Sequence, residues 1–333
     1  MPTHKKTAPT VRDVAREAGV AVGTVSKVIN GKPVREEYEQ KVMNAIKKLN
    51  YHVNSYAQGL KASRTYTIAV LIPSANHPFF AKLIHHLNIA LAKRNYRMLL
   101  YCSDYDQKLE QEFVDMAAHN KVDGIIGLTY NPDLVIPEHT SFISIDRILR
   151  PDIPCISSDN FAGGQLAAEK LWELGCKKVA FFRVGSSLTG ETNKRKAGFE
   201  NGCLIHGLQY EMKIMEDDIN DTGVFKEFLK AHIKNHKLDF DGIFCVTDAL
   251  AVSICDILKD LGFKVPEDIQ VIGFDGIRRL NDAGYVCSTI VQPISDIAEM
   301  AVELLLQDSS HIKPPLVCLP VTFAEGPTTK KTS

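Results

Sequence analysis

Residues 10–31 read TVRDVAREAGVAVGTVSKVING, and their spacing decides the fold of this end of the chain. Thr10 followed three positions later by Asp13 fits a capping box, in which side chain and backbone at a helix start satisfy each other. Val11, Val14, Ala15 and Ala18 recur at helical spacing, and Gly19 stops the helix where a left-handed residue is cheap. A second apolar series, Val20, Val25, Val28 and Ile29, runs to Asn30-Gly31. Helix, tight glycine turn and helix in so short a span form a helix-turn-helix. The small Ala15 lets the two helices cross closely, and the second can enter a DNA major groove. A third helix over about 36–50 carries Tyr38, Val42, Ile46 and Leu49 to close the core.

Working outward, the charge is divided to match. Residues 1–65 hold 12 Lys and Arg against 5 Asp and Glu, a balance of +7, whereas 66–333 balance at -8, so the net charge of -1 hides a basic head on an acidic body. Phosphate attraction scales with local basic charge, so the head is the part expected to meet double-stranded DNA. A length of 333 residues exceeds one compact core, and 45% hydrophobic with 24% charged residues is ordinary globular composition. No apolar run is long enough to span a bilayer and the basic N-terminus lacks an apolar signal region, which predicts a cytoplasmic protein without membrane contact. Eight scattered cysteines without a C-x-x-C pair predict reduced, mostly buried thiols rather than a disulfide framework or a metal site.

The motifs of the head, TVRDVAREAGVAVGTVSKVINGKPV and then KVMNAIKKLNYHVNSYAQGL, resemble the lac/gal repressor family of bacterial transcription regulators, whose pattern runs T-x-x-D-V-A-x-x-A-G-V-S-x-x-T-V-S-R-V-x-N-G and then Y-x-P-N-x-x-A-R-x-L. The resemblance implies that Val22, Gly23 and Lys27 reach base edges while Thr24, Ser26 and Asn30 hold phosphates and orient the helix. It also implies a hinge over 54–60 that folds when two copies meet on DNA and wedges Leu60 into the minor groove, with Ala57 in the same DNA-contact set. Ala21 stands where the family has an N-capping Ser, Arg35 and Tyr38 replace small hydroxyl residues, and Val53 replaces Pro. Gly23 offers no side chain for base reading, and Lys27 lacks the bidentate fork of Arg.

From residue 66 the texture alternates between strands (67–72, 97–102, 123–128, 142–145, 178–184, 242–246, 270–274, 289–291) and amphipathic helices (79–94, 107–120, 164–174, 192–206, 222–235, 249–261, 295–306). That alternation predicts an α/β body of two parallel-sheet subdomains with a cleft between them, in addition to a small all-α head. Ligands bind beyond the carboxyl ends of parallel strands, which points to Asn76, His77, Phe79, Phe80, Asp146, Arg147, Thr247, Asp248, Asp275 and Gln292. Aromatic faces combined with carboxylates, amides and an Arg suit a sugar ring.

The family resemblance extends into the body through N-H-P-F-F, I-D-R, S-D-N-F-A-G-G, R-K-A-G-F, V-T-D-A-L-A and V-I-G-F-D, and implies a fold similar to periplasmic sugar-binding proteins. It implies that Phe79 and Phe80 line an effector cleft, that Arg195 and Asp275 hydrogen-bond ligand hydroxyls, and that Thr247 and Gln292 lie beside them. Together with Arg147 and Asp248 these form the expected effector set. The domains expected are 1–52 for the helix-turn-helix, 53–65 for the hinge, and 66–333 for the body. Within the body the N-subdomain takes about 66–159 and 290–318, and the C-subdomain about 160–289 and 319–333.

Gly185 and Gly190 have the spacing of a phosphate loop, but Glu191 occupies the place of the required Lys. No G-x-G-x-x-G follows the first strand and no G-x-S-x-G or H-E-x-x-H occurs, so the sequence predicts no enzyme, no cofactor and no metal site. A transport-type solute-binding protein explains the body equally well but has no use for the head. The expectation is therefore a repressor that binds a palindromic operator as a homodimer, under control of a small molecule, with carbohydrate favoured and a purine the alternative. No leucine-heptad tail follows the last strand in this sequence, so a dimer rather than a tetramer is expected.

Overall fold

The computed structural model of the protein describes residues 9–29, 31–51, 64–119, 122–185, 190–215, 223–307 and 315–331. Two compact units divide at Thr65/Tyr66.

The head has three helices, α1 (Val11–Ala18), α2 (Val22–Ile29) and α3 (Glu36–Leu49). The capping box forms: the Thr10 amide donates to Asp13 Oδ2 at 2.9 Å, and the Asp13 amide donates to Thr10 Oγ1 at 3.4 Å. Gly19 ends α1 at φ 66°, in the left-handed region. At α2 the Ala21 carbonyl accepts from the Thr24 and Val25 amides, so Ala21 occupies the N-cap with a methyl that accepts nothing. Arg35 at the start of α3 likewise gives no side-chain cap, but Glu36, Glu37 and Glu39 in the first turn and Lys47 and Lys48 in the last complement the helix dipole. Val14, Ala15, Ala18, Val25, Val42 and Ala45 are buried together. Tyr38, expected in this core, stands on the surface with the Lys41 ammonium 6.0 Å from its ring; the smaller Ala45 fills the α1–α3 contact instead.

The body contains two six-stranded sheets. The first joins β1 (Thr67–Ile72), β2 (Arg97–Cys102), β3 (Gly124–Gly127), β4 (Phe142–Ile145), β5 (Cys155–Ser158) and β13 (Leu316–Leu319) in the order β13-β5-β4-β3-β1-β2, all parallel. The second joins β6 (Lys178–Val184), β7 (Gln209–Met215), β10 (Gly242–Cys245), β11 (Gln270–Asp275), β12 (Ser288–Val291) and β14 (Thr322–Ala324) in the order β14-β12-β11-β10-β6-β7, with only β14 antiparallel. Helices α4 (Pro78–Ala92), α5 (Gln107–His119) and α10 (Ile294–Leu306) cover the first sheet, and α6 (Asn160–Glu173), α7 (Lys194–His206), α8 (Gly223–Ala231) and α9 (Asp248–Asp260) the second. Central strands such as β3, β10 and β11 are buried along their length, as a sheet covered on both faces requires.

The chain passes between the sheets three times, after β5, after β12 and after β13. β12 pairs in register with β11 through Val291 opposite Asp275, and β13 pairs with β5 through Leu319 opposite Ser158. The last two crossings therefore fall at 292–293 and 320–321, a shift from the boundaries at 290 and 319 read from the sequence.

Four strands of the two sheets escaped the periodicity: β5 is short and half polar, β7 is a half-exposed edge strand, β13 is apolar but only four residues long between Pro315 and Pro320, and β14 is a three-residue edge strand. α8 ends at Ala231 rather than near 235, because Ile233–Lys234 (β8) and Lys237–Leu238 (β9) form a small hairpin. α6 begins four residues before the expected Gly164: the Asp159 carboxylate accepts from the Ala162 amide and caps it.

Candidate functional site

The glycines of S-D-N-F-A-G-G and R-K-A-G-F explain how one side of the site is held. A Cβ on Gly164 would fall 2.7 Å from the Phe199 amide nitrogen and against the Arg195 carbonyl, and one on Gly198 would strike the Phe161 carbonyl. α6 and α7 therefore touch backbone to backbone, which only glycine permits. That contact fixes Arg195, one turn before Gly198.

Arg195 is 3% exposed. Its Nε donates to Asn160 Oδ1 at 2.6 Å, Nη1 donates to the Val246 carbonyl at 2.8 Å, and its plane lies over the Phe274 ring at 3.7 Å. Nη1 is 3.8 Å from Asp275 Oδ1, which accepts instead from Gln292 Nε2 at 2.7 Å. Gln292 Oε1 in turn accepts from Ser158 Oγ at 2.7 Å, a link from the second sheet to the first. Asp275 Oδ2 is buried without a hydrogen-bond partner. The residue sits at φ 135° at the end of β11, a conformation that costs a non-glycine residue roughly 1–3 kcal/mol and is found where surrounding structure enforces it.

These groups form the floor of a cavity of about 300 Å³ at the carboxyl ends of both sheets. Phe79 and Phe80, at the start of α4, wall one side in edge-to-face contact; Tyr105 and Tyr130, stacked 6.1 Å apart, wall another. Asp146 enters from the end of β4 at φ 58°, its Oδ1 accepting from Ser157 Oγ at 2.7 Å. Burial pushes Asp275 up to about 8 and raises Asp146, with the Arg195 guanidinium opposing both. Burial lowers Arg195, with Asp275 and Asp146 opposing. The cavity thus offers buried carboxyl groups and a fixed guanidinium donor between aromatic faces, the equipment for gripping a polyhydroxylated ring.

Of the residues singled out in the sequence, Phe79, Phe80, Arg195, Thr247, Asp275 and Gln292 come together around this cavity. Thr247 also caps α9, its Oγ1 accepting from the Leu250 amide at 3.2 Å. Two expectations are corrected. Asp248 does not face the cleft: as the first residue of α9 it turns beneath β11, fully buried, and accepts from the Ile277 amide at 2.7 Å and the Cys287 thiol at 3.3 Å. Arg147 lies off the main cavity, beside a side cavity of about 20 Å³ shared with Thr129 and Asp146, where its Nη1 is buried without a hydrogen-bond partner; the left-handed Asp146 before it redirects the chain.

Tyr105 and Tyr130 do not figure in the expected set, although each follows its strand by three residues, within the reach of the strand-end rule that found the others. Asp146 and His77, at strand ends but outside the expected effector set, also line the cavity.

On the head, Gly23 and Lys27 are exposed on the face of α2 opposite the buried Val25, Val22 is exposed at its first turn, and Thr24 and Ser26 are half-buried at its flanks. A Cβ at Gly23 would meet nothing within 4 Å, so this face presents bare backbone at its centre. Asn30, Ala57, Leu60 and most of the expected hinge lie outside the described residues.

Residues 10–54 match the family model for bacterial regulatory proteins of the lacI family, and residues 65–303 match that for periplasmic binding proteins and the sugar binding domain of the LacI family. The chain belongs to the LacI family. Its relatives include the sucrose operon repressor of Pediococcus pentosaceus, 33% identical over 96% of this chain and 98% of that protein. A LacI-type regulator from Alkaliphilus metalliredigens QYMF, solved in complex with D-xylulofuranose, superposes with TM-score 0.68 at 25% identity over 80% of this chain and all of that one. The lac repressor dimer bound to operator and an anti-inducer superposes with TM-score 0.80 over 97% of this chain and 99% of that one, at 21% identity, a likeness of fold. The LacI-family protein is thus a transcriptional repressor and not an enzyme. Among the described residues no helix is long and apolar enough to cross a membrane.

Proposed function

We propose that this LacI-family repressor binds a palindromic operator as a homodimer in the cytoplasm and is controlled by a sugar in the body cleft. The observation that carries the sugar reading is the Arg195–Asp275–Gln292 floor, with its unpartnered Asp275 oxygen, set between the aromatic walls. Hydroxyl donors satisfy that oxygen and favour its ionised form, while apolar C–H faces stack on the rings. A relative named for a sucrose operon and a structural neighbour holding D-xylulofuranose support the same class. In this reading the exposed face of α2 enters the major groove, with Val22, Gly23 and Lys27 at base edges and Thr24, Ser26 and Asn30 on phosphates. Ala57 and Leu60 act at the minor groove. Effector binding changes the relation of the two sheets and so the spacing of the hinges, with a coupling of about 1–3 kcal/mol.

A thermal-shift screen against hexoses, pentoses, disaccharides, sugar phosphates and purines tests it. A sugar at about 100 times its Kd adds roughly 2.7 kcal/mol. A sugar hit lost in Arg195→Ala and Asp275→Ala is the expected result; a purine hit or silence overturns the sugar assignment. Leu60→Ala should weaken operator binding and leave sugar affinity intact, and unchanged operator affinity at matched salt removes the hinge assignment.

A further inference from the structure

His77 is the N-cap of α4, and its Nδ1 accepts from the Phe79 amide at 3.3 Å. A ring nitrogen that accepts carries a lone pair, so the single proton of the neutral ring sits on Nε2. The ring packs on Phe80, 4.9 Å between centroids and tilted by 44°, and lines the effector cavity. One edge is thus spent on the helix, one face on an aromatic ring, and the remaining Nε2–H edge is left to the cleft.

Three features hold the ring neutral. Protonation at Nδ1 would break the cap. It would also place a cation at the positive end of a helix dipole, within the field of Arg195. Burial, with Arg195 second, accordingly lowers His77 below the usual imidazole range. The other charged groups lining the same cavity are Asp146, Arg183 and Asp275, and Lys82 stands one turn along α4.

We propose that His77 is a specificity-determining residue of the cleft, a hydrogen-bond donor fixed in its Nε2–H tautomer by its capping role, which reads an acceptor oxygen on the sugar from the α4 side. The inference rests on the sugar reading above and gives that site an uncharged donor on the α4 side. It also accounts for a His at a capping position where Ser, Thr, Asp or Asn would serve the helix better: the shorter residues cap but do not reach.

The test has two arms. Long-range ¹H–¹⁵N spectra of the ligand-free full chain, taken from pH 8 to 5, should show His77 as the Nε2–H tautomer, protonating only below the pH at which exposed imidazoles do. An Nδ1–H tautomer or ordinary titration overturns the proposal with no ligand present. In the second arm, thermal-shift titrations with sucrose, D-ribose and D-xylulose compare wild type, His77→Asn and His77→Gln. Asn keeps the cap but shortens the donor, so the ligand-free midpoint should hold while affinity for the sugar that binds falls roughly tenfold, the equivalent of one lost hydrogen bond. Gln keeps reach and weakens the cap, so its ligand-free midpoint should fall while affinity stays nearer wild type. Equal affinity in His77→Asn and wild type overturns the donor role. Silence of all three sugars in wild type is instead a failure of the sugar reading, told apart because the spectra report on His77 without any sugar.

Discussion

Replacing Asp275 with Asn should stabilise the ligand-free body while destroying sugar binding. Asp275 is 2% exposed, one oxygen has no partner, and its nearest cation, Arg195 at 3.8 Å, is hydrogen-bonded to Asn160 and the Val246 carbonyl instead. Burial pushes this carboxyl up to about 8, whereas in the unfolded chain it titrates near the ordinary 3.8. Between those values the folded state holds a proton that the unfolded state has released. The stabilisation is therefore complete below pH 3.8 and is lost as pH rises towards 8. At about 1.4 kcal/mol per pH unit, the loss at pH 7 is on the order of 4 kcal/mol. Asn carries no charge to bury, can keep the contact from Gln292 through its oxygen, and leaves Arg195 still beside Asp146 and over Phe274. The amide donor it points into the cavity offsets part of the gain, leaving about 2–4 kcal/mol. For a body of this size that is a rise in Tm of several degrees at pH 7.5, shrinking towards pH 5. Differential scanning calorimetry of both proteins at pH 5, 6, 7 and 8 measures it. Parallel pH slopes, or a lower midpoint for Asp275→Asn at pH 7.5, would refute the claim that this carboxylate is held at a cost to stability for the sake of binding.

Ala21→Ser supplies the missing side-chain cap of α2 and should stabilise the head by about 1 kcal/mol, read as slower hydrogen exchange at the Gly23 and Thr24 amides; no change means that the first turn is already satisfied. Gly164→Ala drives a methyl into the backbone at Arg195 and Phe199, so it should cost at least about 2 kcal/mol in Tm measurements and weaken sugar binding by displacing Arg195. A Gly164→Ala protein with wild-type stability and affinity shows that the helices can separate without loss. Thr10→Ala removes one side of the capping box and should lower the stability of the head by about 1 kcal/mol, visible in the amide exchange of α1 but not in the melting of the body.

Much of this molecule was legible because its signals are local. The head announces itself through spacing and through Gly19. The eight strands expected from apolar runs lie where those runs fall. The expected effector residues gather because parallel strands all deliver their ends to one edge. What the sequence concealed depends on contacts distant along the chain. β5 is a strand because β4 and β13 flank it, not because Cys-Ile-Ser-Ser is a strong strand former. Asp248 and Asp275 look alike as acidic residues at strand ends. The difference between a buried brace and a cleft acceptor is made by the turn after Asp275, which brings the Ile277 amide down onto Asp248. Arg147 is led away by the left-handed turn at Asp146, which the motif I-D-R does not disclose.

The route of the chain between the sheets governs how the protein can be made. Each sheet takes an edge strand from the last stretch of chain, β13 for the first and β14 for the second, while the head is complete by residue 51. During synthesis, at about 5–20 residues per second, the head can fold early, but neither half of the body can finish until the final strands leave the ribosome. An incomplete chain therefore carries a finished DNA-reading element joined to an unfinished sensor. An in-frame deletion of residues 316–324 strips an edge strand from both sheets together, so it should yield aggregation or proteolysis rather than a regulator that binds DNA and ignores its signal.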